Sequence, residues 1–268
     1  MIASIIKNTF KNEFRNRGVV FLAVMSFVII TIGLLAINFL MKNYVHEDSS
    51  ALIATYILDA VYTTTTVWTS IVGLILGINC VRNDISSGTL PLILSMPIRR
   101  RDYLIGRILG AWLMCLCFFL FTFSYSTMGL SIMVSDFVFS SKFIFTFFLS
   151  SFSLLFSIFL GVMLSTKFSR LPTFIFVLFL GAVNGYSSAY VYNVGIGEVF
   201  KDFNIINAIA LGFYAFLPHT NVIGIFESNI RQGNLENIET LFYHLAHFGV
   251  SLALIFFIFN YFFSKKSI

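Results

Sequence analysis

Charged side chains are scarce in this sequence. Asp, Glu, Lys and Arg make up 11% of it, where a soluble domain carries about 25%. Hydrophobic residues make up 58%, with 34 Phe among them, and the mean hydropathy is +0.90. Because so little polar surface cannot cover a globule of 268 residues, the apolar residues must face lipid. We therefore exclude a soluble nucleic-acid-binding protein and expect no nucleic-acid partner.

Cysteines and nucleotide-binding motifs are also scarce. Cys80, Cys115 and Cys117 lie in or at the ends of apolar segments, where cysteine usually behaves as a small buried hydrophobe. We therefore expect no disulfide framework and no metal-thiolate site. The sequence contains no Gly-x-x-x-x-Gly-Lys-Ser/Thr phosphate loop, the motif that would cradle ATP. We expect that the chain is not an enzyme and binds no cofactor itself.

Six apolar runs are long enough to cross a membrane as helices, since a hydrocarbon core of roughly 30 Å needs about 20 residues. They are Gly18 to Met41, Val61 to Cys80, Ile108 to Val134, Phe143 to Ser165, Leu171 to Tyr192, and Leu241 to Phe263. The sequence therefore predicts an all-α polytopic membrane protein, with residues 1–268 forming a single transmembrane domain.

The basic residues collect on one side of this arrangement. An even number of spans places both termini on one side, and that side holds 13 of the 17 basic residues. They are Lys7, Lys11, Arg15, Arg17, Arg82, Arg99, Arg100, Arg101, Arg107, Lys167, Arg170, Lys265 and Lys266. The positive-inside rule then predicts a multi-pass protein of the cell (inner) membrane with cytoplasmic termini.

The stretch from Phe203 to Phe226 raises the question of a seventh span. Pro218 and His219 divide it, which leaves about 14 apolar residues, or about 21 Å of helix, before the break. A seventh crossing would also place the C-terminal lysines outside, against the charge rule. We predict instead two short re-entrant helices within an extracytoplasmic loop, residues 194–240.

Residues 1–17 have the pattern of an interfacial helix. Ile2, Ile6, Phe10 and Phe14 recur on one face, next to a stripe of basic residues, which is typical of a helix lying on the inner leaflet. The segment is alternatively the basic flank of the first membrane helix.

The cytoplasmic loop 81–107, between spans two and three, carries the most distinctive chemistry. Gly88 suits a sharp turn and Thr89 can cap a helix, so we expect a short helix over Leu90 to Ser95. A proline then ends it. The three arginines that follow, Arg99 to Arg101, would each cost about 2.5–3.5 kcal/mol at the membrane centre, so they fix this loop at the surface.

This loop resembles that of the membrane subunits of ABC-2 type transporters, in which an acidic residue precedes Gly-Thr-Leu, a leucine run, Ser-x-Pro and a basic residue. The matching residues are Asp84, Gly88, Thr89, Leu90, Leu92, Leu94, Ser95, Pro97, Arg101, Tyr103, Gly106 and Arg107. The sequence departs from the pattern at Ser86 and Ser87, Pro91 and Arg107, which leaves Asp84 as the acidic residue of the motif.

The resemblance implies an exporter permease driven by a separate cytoplasmic ATPase. Two permease subunits, identical or related, would assemble with two ATPase subunits, which would bind ATP and Mg. The loop would contain the coupling helix that docks on the ATPase. The residues implied in coupling are Asp84, Gly88, Thr89, Leu90, Leu94, Ser95, Pro97 and Arg101. From the residues alone, Leu90, Ile93 and Leu94 would offer an apolar docking face inside a charged rim formed by Asp84 and the arginines.

Two alternatives remain open for the loop. It is an ordinary turn whose arginines contact anionic lipid head groups, or it belongs to a non-transporting scaffold that recruits soluble partners through its basic surface.

A polar face on the second span is a candidate translocation path. It contains Thr63, Thr66, Thr69 and Ser70, and Asn184 lies in mid-span in the fifth. Hydroxyl groups also bond back to their own helix, so the alternative is ordinary packing. The glycine pairs Gly73/Gly77, Gly106/Gly110 and Gly181/Gly185 favour close helix packing inside one subunit over a dimer contact.

Ionisable residues inside the membrane are expected to be nearly absent, with Asp59 and Asp136 at outer span ends. His244 and His247 could share a helical face, but no third ligand is specified. We therefore expect no metal site.

Overall fold

Inside a bilayer, an α-helix satisfies all of its backbone hydrogen bonds within one segment. The described part of this apolar sequence folds almost entirely as helices. A computed structural model describes residues 2–15, 17–44, 50–95, 98–134, 142–201, 204–234 and 238–264. The helices are α1 (Ile2–Arg15), α2 (Arg17–Tyr44), α3 (Ser50–Ser86), α4 (Thr89–Ser95), α5 (Arg100–Val134), α6 (Lys142–Ser165), α7 (Arg170–Val194), α8 (Ile196–Lys201), α9 (Ile205–Phe216), α10 (Thr220–Gln232) and α11 (Ile238–Ser264).

The predicted all-α fold with six membrane spans is confirmed. Six of the described helices, α2, α3, α5, α6, α7 and α11, are long and apolar enough to cross a bilayer. Much of the predicted loop 81–107 is helical, because α3 continues to Ser86 and α5 begins at Arg100. A turn at Ser87 and Gly88 leads into α4. The long helices therefore extend beyond the apolar runs and carry their polar ends into the loop region.

The core of the bundle forms around α3, which packs between α5 and α6. A Cβ atom built on Gly77 would come within 2.8 Å of the backbone oxygen of Ile158, and one on Gly73 within 2.8 Å of Cys115 Sγ. Glycine is required for this close approach. In contrast, α2 leaves most of its apolar side chains exposed, as expected for a helix at the lipid boundary.

A bent pair, α9 and α10, lies between the fifth and sixth spans, with its axes at 75°. The break between the two helices contains the predicted Pro218 and His219. Near the bend, Asn184 from the middle of α7 donates to the Pro218 carbonyl at 2.9 Å. The far end of α10 returns to the outset of α6, where a Cβ on Gly233 would lie 3.0 Å from Lys142 Nζ.

A contact at the end of α11 fixes the direction of this pair. Phe262, near the end of α11, lies 4.5 Å from the ammonium group of Lys167 in the α6–α7 connection. The last span therefore finishes at the end of the bundle where α7 begins, and α9 and α10 together start and finish at the other end. We call the end with α1 and α4 the basic end and the end with Lys142 and Gly233 the opposite end.

Candidate functional site

At the basic end, α1 is packed onto α5 through two glycines. A Cβ on Gly106 would lie 2.7 Å from Ile5 Cγ2, and one on Gly110 would lie 2.7 Å from Thr9 Cβ. The buried face of α1 is Ile5, Thr9 and Glu13, while the predicted face is half-buried as far as Phe10 and exposed at Phe14. The first helix is thus docked on the bundle by one face, and its neighbouring apolar face is only partly covered.

A buried ion pair joins three helices beneath this contact. Asp84 of α3 is 8% exposed, and its Oδ2 accepts a 2.6 Å hydrogen bond from the Tyr103 hydroxyl of α5. The same oxygen accepts from Nη2 of Arg107. Arg107 Nη1 donates to Thr9 Oγ1 of α1 at 2.9 Å, and Thr9 donates to the Ile5 carbonyl. Charge-assisted bonds of this kind are the strong ones, so they tie α1, α3 and α5 together here.

The short helix α4 is attached to this network at its first turn. Gly88 takes the left-handed φ of 68° that the turn needs. Thr89 Oγ1 donates to the Asp84 carbonyl at 3.3 Å, and Leu90 is buried in the main core. On its outer face α4 exposes Pro91, Leu92 and Ser95.

Two expectations about the docking surface are wrong. Asp84 is not part of an exposed charged rim, because its carboxylate is enclosed by Tyr103 and Arg107. Leu90 is not on the exposed apolar face, because it anchors α4 to the core; Leu92 is exposed instead, at 65%. Arg101 does lie on the surface. Pro97 and the side chain of Leu94 lie outside the described residues.

At the opposite end, a second group of buried charges joins α3 and α10. Arg231 Nε donates to Asp59 Oδ1 at 2.6 Å, and Ser228 donates to Asp59 Oδ2 at 3.1 Å. The guanidinium group lies 4.1 Å from the centre of the Tyr62 ring, a cation–π contact. Both carboxylate oxygens of Asp59 therefore have a side-chain partner from α10.

Glu227 lies one helical turn before Arg231 and adds a second carboxylate to the Asp59–Arg231 pair. Its Oε2 accepts from Ser150 Oγ of α6 at 2.7 Å and lies 3.9 Å from Arg231 Nη1. Glu227 is 5% exposed. Within the part of the chain that the structure describes, Glu227 Oε1 and Arg231 Nη1 are buried without a hydrogen-bond partner.

These two side chains line a cavity of about 370 Å³ between α3, α6, α7 and α10. Thr63, Thr66 and Ser70 of the predicted polar face line it as well. Thr69 does not, because it lies on another side of α3 and donates to the Thr65 carbonyl in the core. Asn184 does not line it either; it is fully buried and holds the bend of α9 and α10.

The predicted histidine pair gains a third member at the bend. His219 Nδ1 lies 2.9 Å from His244 Nδ1, and the His219 and His247 rings stack with centroids 3.8 Å apart. His219 Nε2 lies 2.8 Å from the Tyr214 carbonyl. The histidines thus bond to one another and to backbone, and among the described residues no group of three or more possible ligands is arranged to hold a metal ion.

Ionisable residues are predicted at the ends of the spans, and the charges of both groups do lie at the two ends of the bundle, where Asp84, Arg107 and Glu227 are buried by neighbouring helices. A weak local signal exists for Glu227, which shares an apolar helical face with Ile223 and Ile230. No local signal identifies its partners, since Asp59 lies more than 160 residues earlier in the chain. Arg107 is likewise linked to Asp84 and Thr9 only by the fold.

The fold and these contacts define a polytopic helical membrane protein with a small helix anchored at its basic end and a polar cavity near the other. Residues 3–267 match the family described as ABC-2 family transporter protein, and the chain belongs to this family. It is therefore the membrane subunit of a transporter, and membership implies association with an ABC ATPase partner. No curated protein and no solved structure gives a significant match.

Proposed function

We propose that this chain is the permease subunit of an ATP-driven exporter in the cell membrane, with the basic end in the cytoplasm. A separate ATPase would bind ATP and Mg and dock on α4. Two permease subunits would work with two ATPase subunits, and tilting of the spans would open a path for the substrate.

The attachment of α4 to the bundle carries this proposal. The helix is fixed on its inner side by Leu90 and by the bond from Thr89 to α3. Directly below, Asp84 and Arg107 connect α3 to α5 and α1. A displacement of α4 by a partner therefore reaches three helices at once, two of which are membrane spans. An ordinary surface turn does not need such a connection.

The charge distribution supports the proposed orientation. The basic end holds Lys7, Lys11, Arg99 and Arg101, which are exposed, as the positive-inside rule requires of a cytoplasmic surface. Their positive charge also suits contact with anionic lipid head groups around the docking helix.

The test is capture of the ATPase by the exposed face of α4. We expect Leu92→Asp to reduce the amount of ABC ATPase that co-purifies with the tagged chain, and ATP-dependent transport with it, by tenfold or more. The expected loss is that of an interface hot spot, about 2 kcal/mol or more, because the change also places a charge in the docked surface. The control is Ile196→Asp, which makes the same change at an exposed site in α8, at the opposite end.

Equal capture of the ATPase by Leu92→Asp and by the unchanged chain would contradict docking on α4. Purification of the unchanged chain without any ATPase, under conditions that preserve membrane complexes, would favour the scaffold alternative. Transport measured in inside-out and right-side-out vesicles decides the direction, and uptake into right-side-out vesicles would contradict export.

A further inference from the structure

The cavity near the opposite end has the features of a binding site for a positively charged group. It extends from Thr63 to Ser70 along α3, which is about 10 Å at 1.5 Å per residue. Its volume of about 370 Å³ lies within the range of small-molecule sites, roughly 300–1,000 Å³. The cavity therefore has room for a small organic group and its hydration.

The charges around the cavity do not cancel. Arg231 is engaged with Asp59 through Nε and Nη2, and the second oxygen of Asp59 is bonded to Ser228. One positive and one negative charge are thus matched. With all three side chains ionised, Glu227 gives this group one excess negative charge, with the Ser150 hydroxyl as its direct hydrogen-bond donor.

The polar atoms of the site that have no hydrogen-bond partner in the described chain indicate which ligand chemistry would fit. Glu227 Oε1 is an acceptor, buried without a partner in the described chain, on a side chain that lines the cavity. A buried carboxylate oxygen needs a donor or a cation. Beside it, Arg231 Nη1 is a donor without a partner among the same residues. An ammonium group with an oxygen atom next to it would satisfy both.

Two threonines of the cavity also favour a ligand that donates hydrogen bonds. Thr66 donates its hydroxyl proton to the Tyr62 carbonyl at 2.9 Å, so its oxygen can still accept. Thr63 Oγ1 faces Arg231 Nη2 at 3.5 Å, also as an acceptor. A ligand rich in N–H donors fits this lining better than an anion.

The open glycines next to these groups keep the space available. A Cβ built on Gly181, Gly185 or Gly224 would meet no atom within 4 Å. All three line the cavity. Their lack of side chains is therefore not explained by close helix packing, and it leaves room beside the polar groups.

We propose that the cavity between α3, α6, α7 and α10 binds an alkylammonium group that carries a neighbouring hydroxyl or carbonyl oxygen, with Glu227 as the anionic partner and Arg231 as the donor to the oxygen. Ionisable residues buried inside the helical bundle of a membrane protein usually mark such a pathway or binding site. The biological meaning of this site, recognition of the exported substrate, rests on the proposed function. Binding itself does not, because it requires no ATPase and no transport.

The test is binding of a matched pair of probes to the full chain in lipid nanodiscs at neutral pH. The amine probe is 2-amino-1-phenylethanol, and the neutral probe is 1-phenylethane-1,2-diol, which replaces the ammonium group by a hydroxyl. Calorimetric titration should show the amine binding at least tenfold more tightly than the diol. Glu227→Gln should reduce the affinity for the amine to that for the diol.

Two further variants separate the cavity from the membrane surface. Gly185→Leu fills the cavity and leaves Glu227 unchanged, so it should abolish binding of the amine. Glu239→Gln removes a carboxylate from the exposed first turn of α11 and should leave amine affinity unchanged. Folding of each variant is checked by its thermal unfolding.

Equal affinities of the unchanged chain for amine and diol would overturn the proposal, and would show that Glu227 carries a proton instead of binding a cation. Equal losses in Glu227→Gln and Glu239→Gln would overturn it in favour of attraction to the surface. If the unchanged chain captures no ATPase but still binds the amine, the proposed exporter is contradicted and this binding site is not.

Discussion

The two ends of the bundle each bury an arginine against carboxylates, but they do so in different ways. At the basic end, Asp84 is enclosed by Tyr103 and Arg107, and Arg107 continues to Thr9. At the opposite end, Glu227 keeps one oxygen without a partner in the described chain and lines a cavity. The first arrangement is suited to transmitting movement, and the second to receiving a ligand.

The glycines of the two regions show the same difference. Gly106 and Gly110 are tightly covered by α1, while Gly181 and Gly185 have open space where a side chain would lie. Identical Gly-x-x-x-Gly spacings therefore have opposite uses in one chain. The motif shows only that two side chains are missing on one helical face. Whether that space is filled depends on the neighbouring helix.

The largest effect should come from breaking the ion pair at the basic end. Arg107→Met leaves the Asp84 carboxylate buried with Tyr103 as its remaining side-chain donor, and removing one member of a buried pair costs about 3–5 kcal/mol. We expect the thermal midpoint of the purified protein to fall by on the order of 10 °C.

Arg101→Met is the matched control for this prediction, since Arg101 is exposed on its side of α5. Surface changes usually stay within about 0.5 kcal/mol. Similar midpoints for the two variants would show that the Asp84 and Arg107 pair does not hold the three helices together.

A smaller difference in stability is expected between substitutions in the covered glycine pair, Gly106 and Gly110, and in the open pair, Gly181 and Gly185. Gly110→Ala places a Cβ at 2.7 Å from Thr9 Cβ, an atom next to the backbone that cannot turn away. Overpacking of this kind costs about 1–3 kcal/mol. Gly181→Ala meets no atom within 4 Å and gains helix propensity, so it should be neutral or stabilising by up to about 1 kcal/mol.

Thermal unfolding of both variants measures this difference, and limited proteolysis reports whether α1 is released. We expect cleavage after the lysines of α1 in Gly110→Ala only. Destabilisation by both substitutions to the same extent would mean that the contrast between covered and open glycines does not govern stability.

The sequence predicts features that depend on neighbouring residues, and it does not predict contacts between residues far apart in the chain. The six spans are encoded in continuous apolar runs, and the break at Pro218 is encoded locally, so both were accessible. The pairing of Thr9 with Arg107, and of Asp59 with Arg231, joins residues about a hundred or more positions apart. No periodicity in one segment reports such a partner. The burial of Glu227 within the predicted outer loop could not be predicted for that reason: α10 folds back against α3 and α6 and buries it.

The smallest effect on stability is expected at Glu227 itself. Glu227→Gln keeps a carbonyl oxygen as an acceptor for Ser150, and Arg231 remains paired with Asp59. The variant also removes the cost of burying the excess charge. We expect its free energy of unfolding to change by about 1 kcal/mol or less, in contrast to the loss in Arg107→Met, because a charge with an unused oxygen contributes little to holding the helices together. Denaturant titration of the two variants side by side measures this. A loss as large as that of Arg107→Met would show that Glu227 is a structural brace like Asp84, and the difference between the two ends would then lie in the cavity alone.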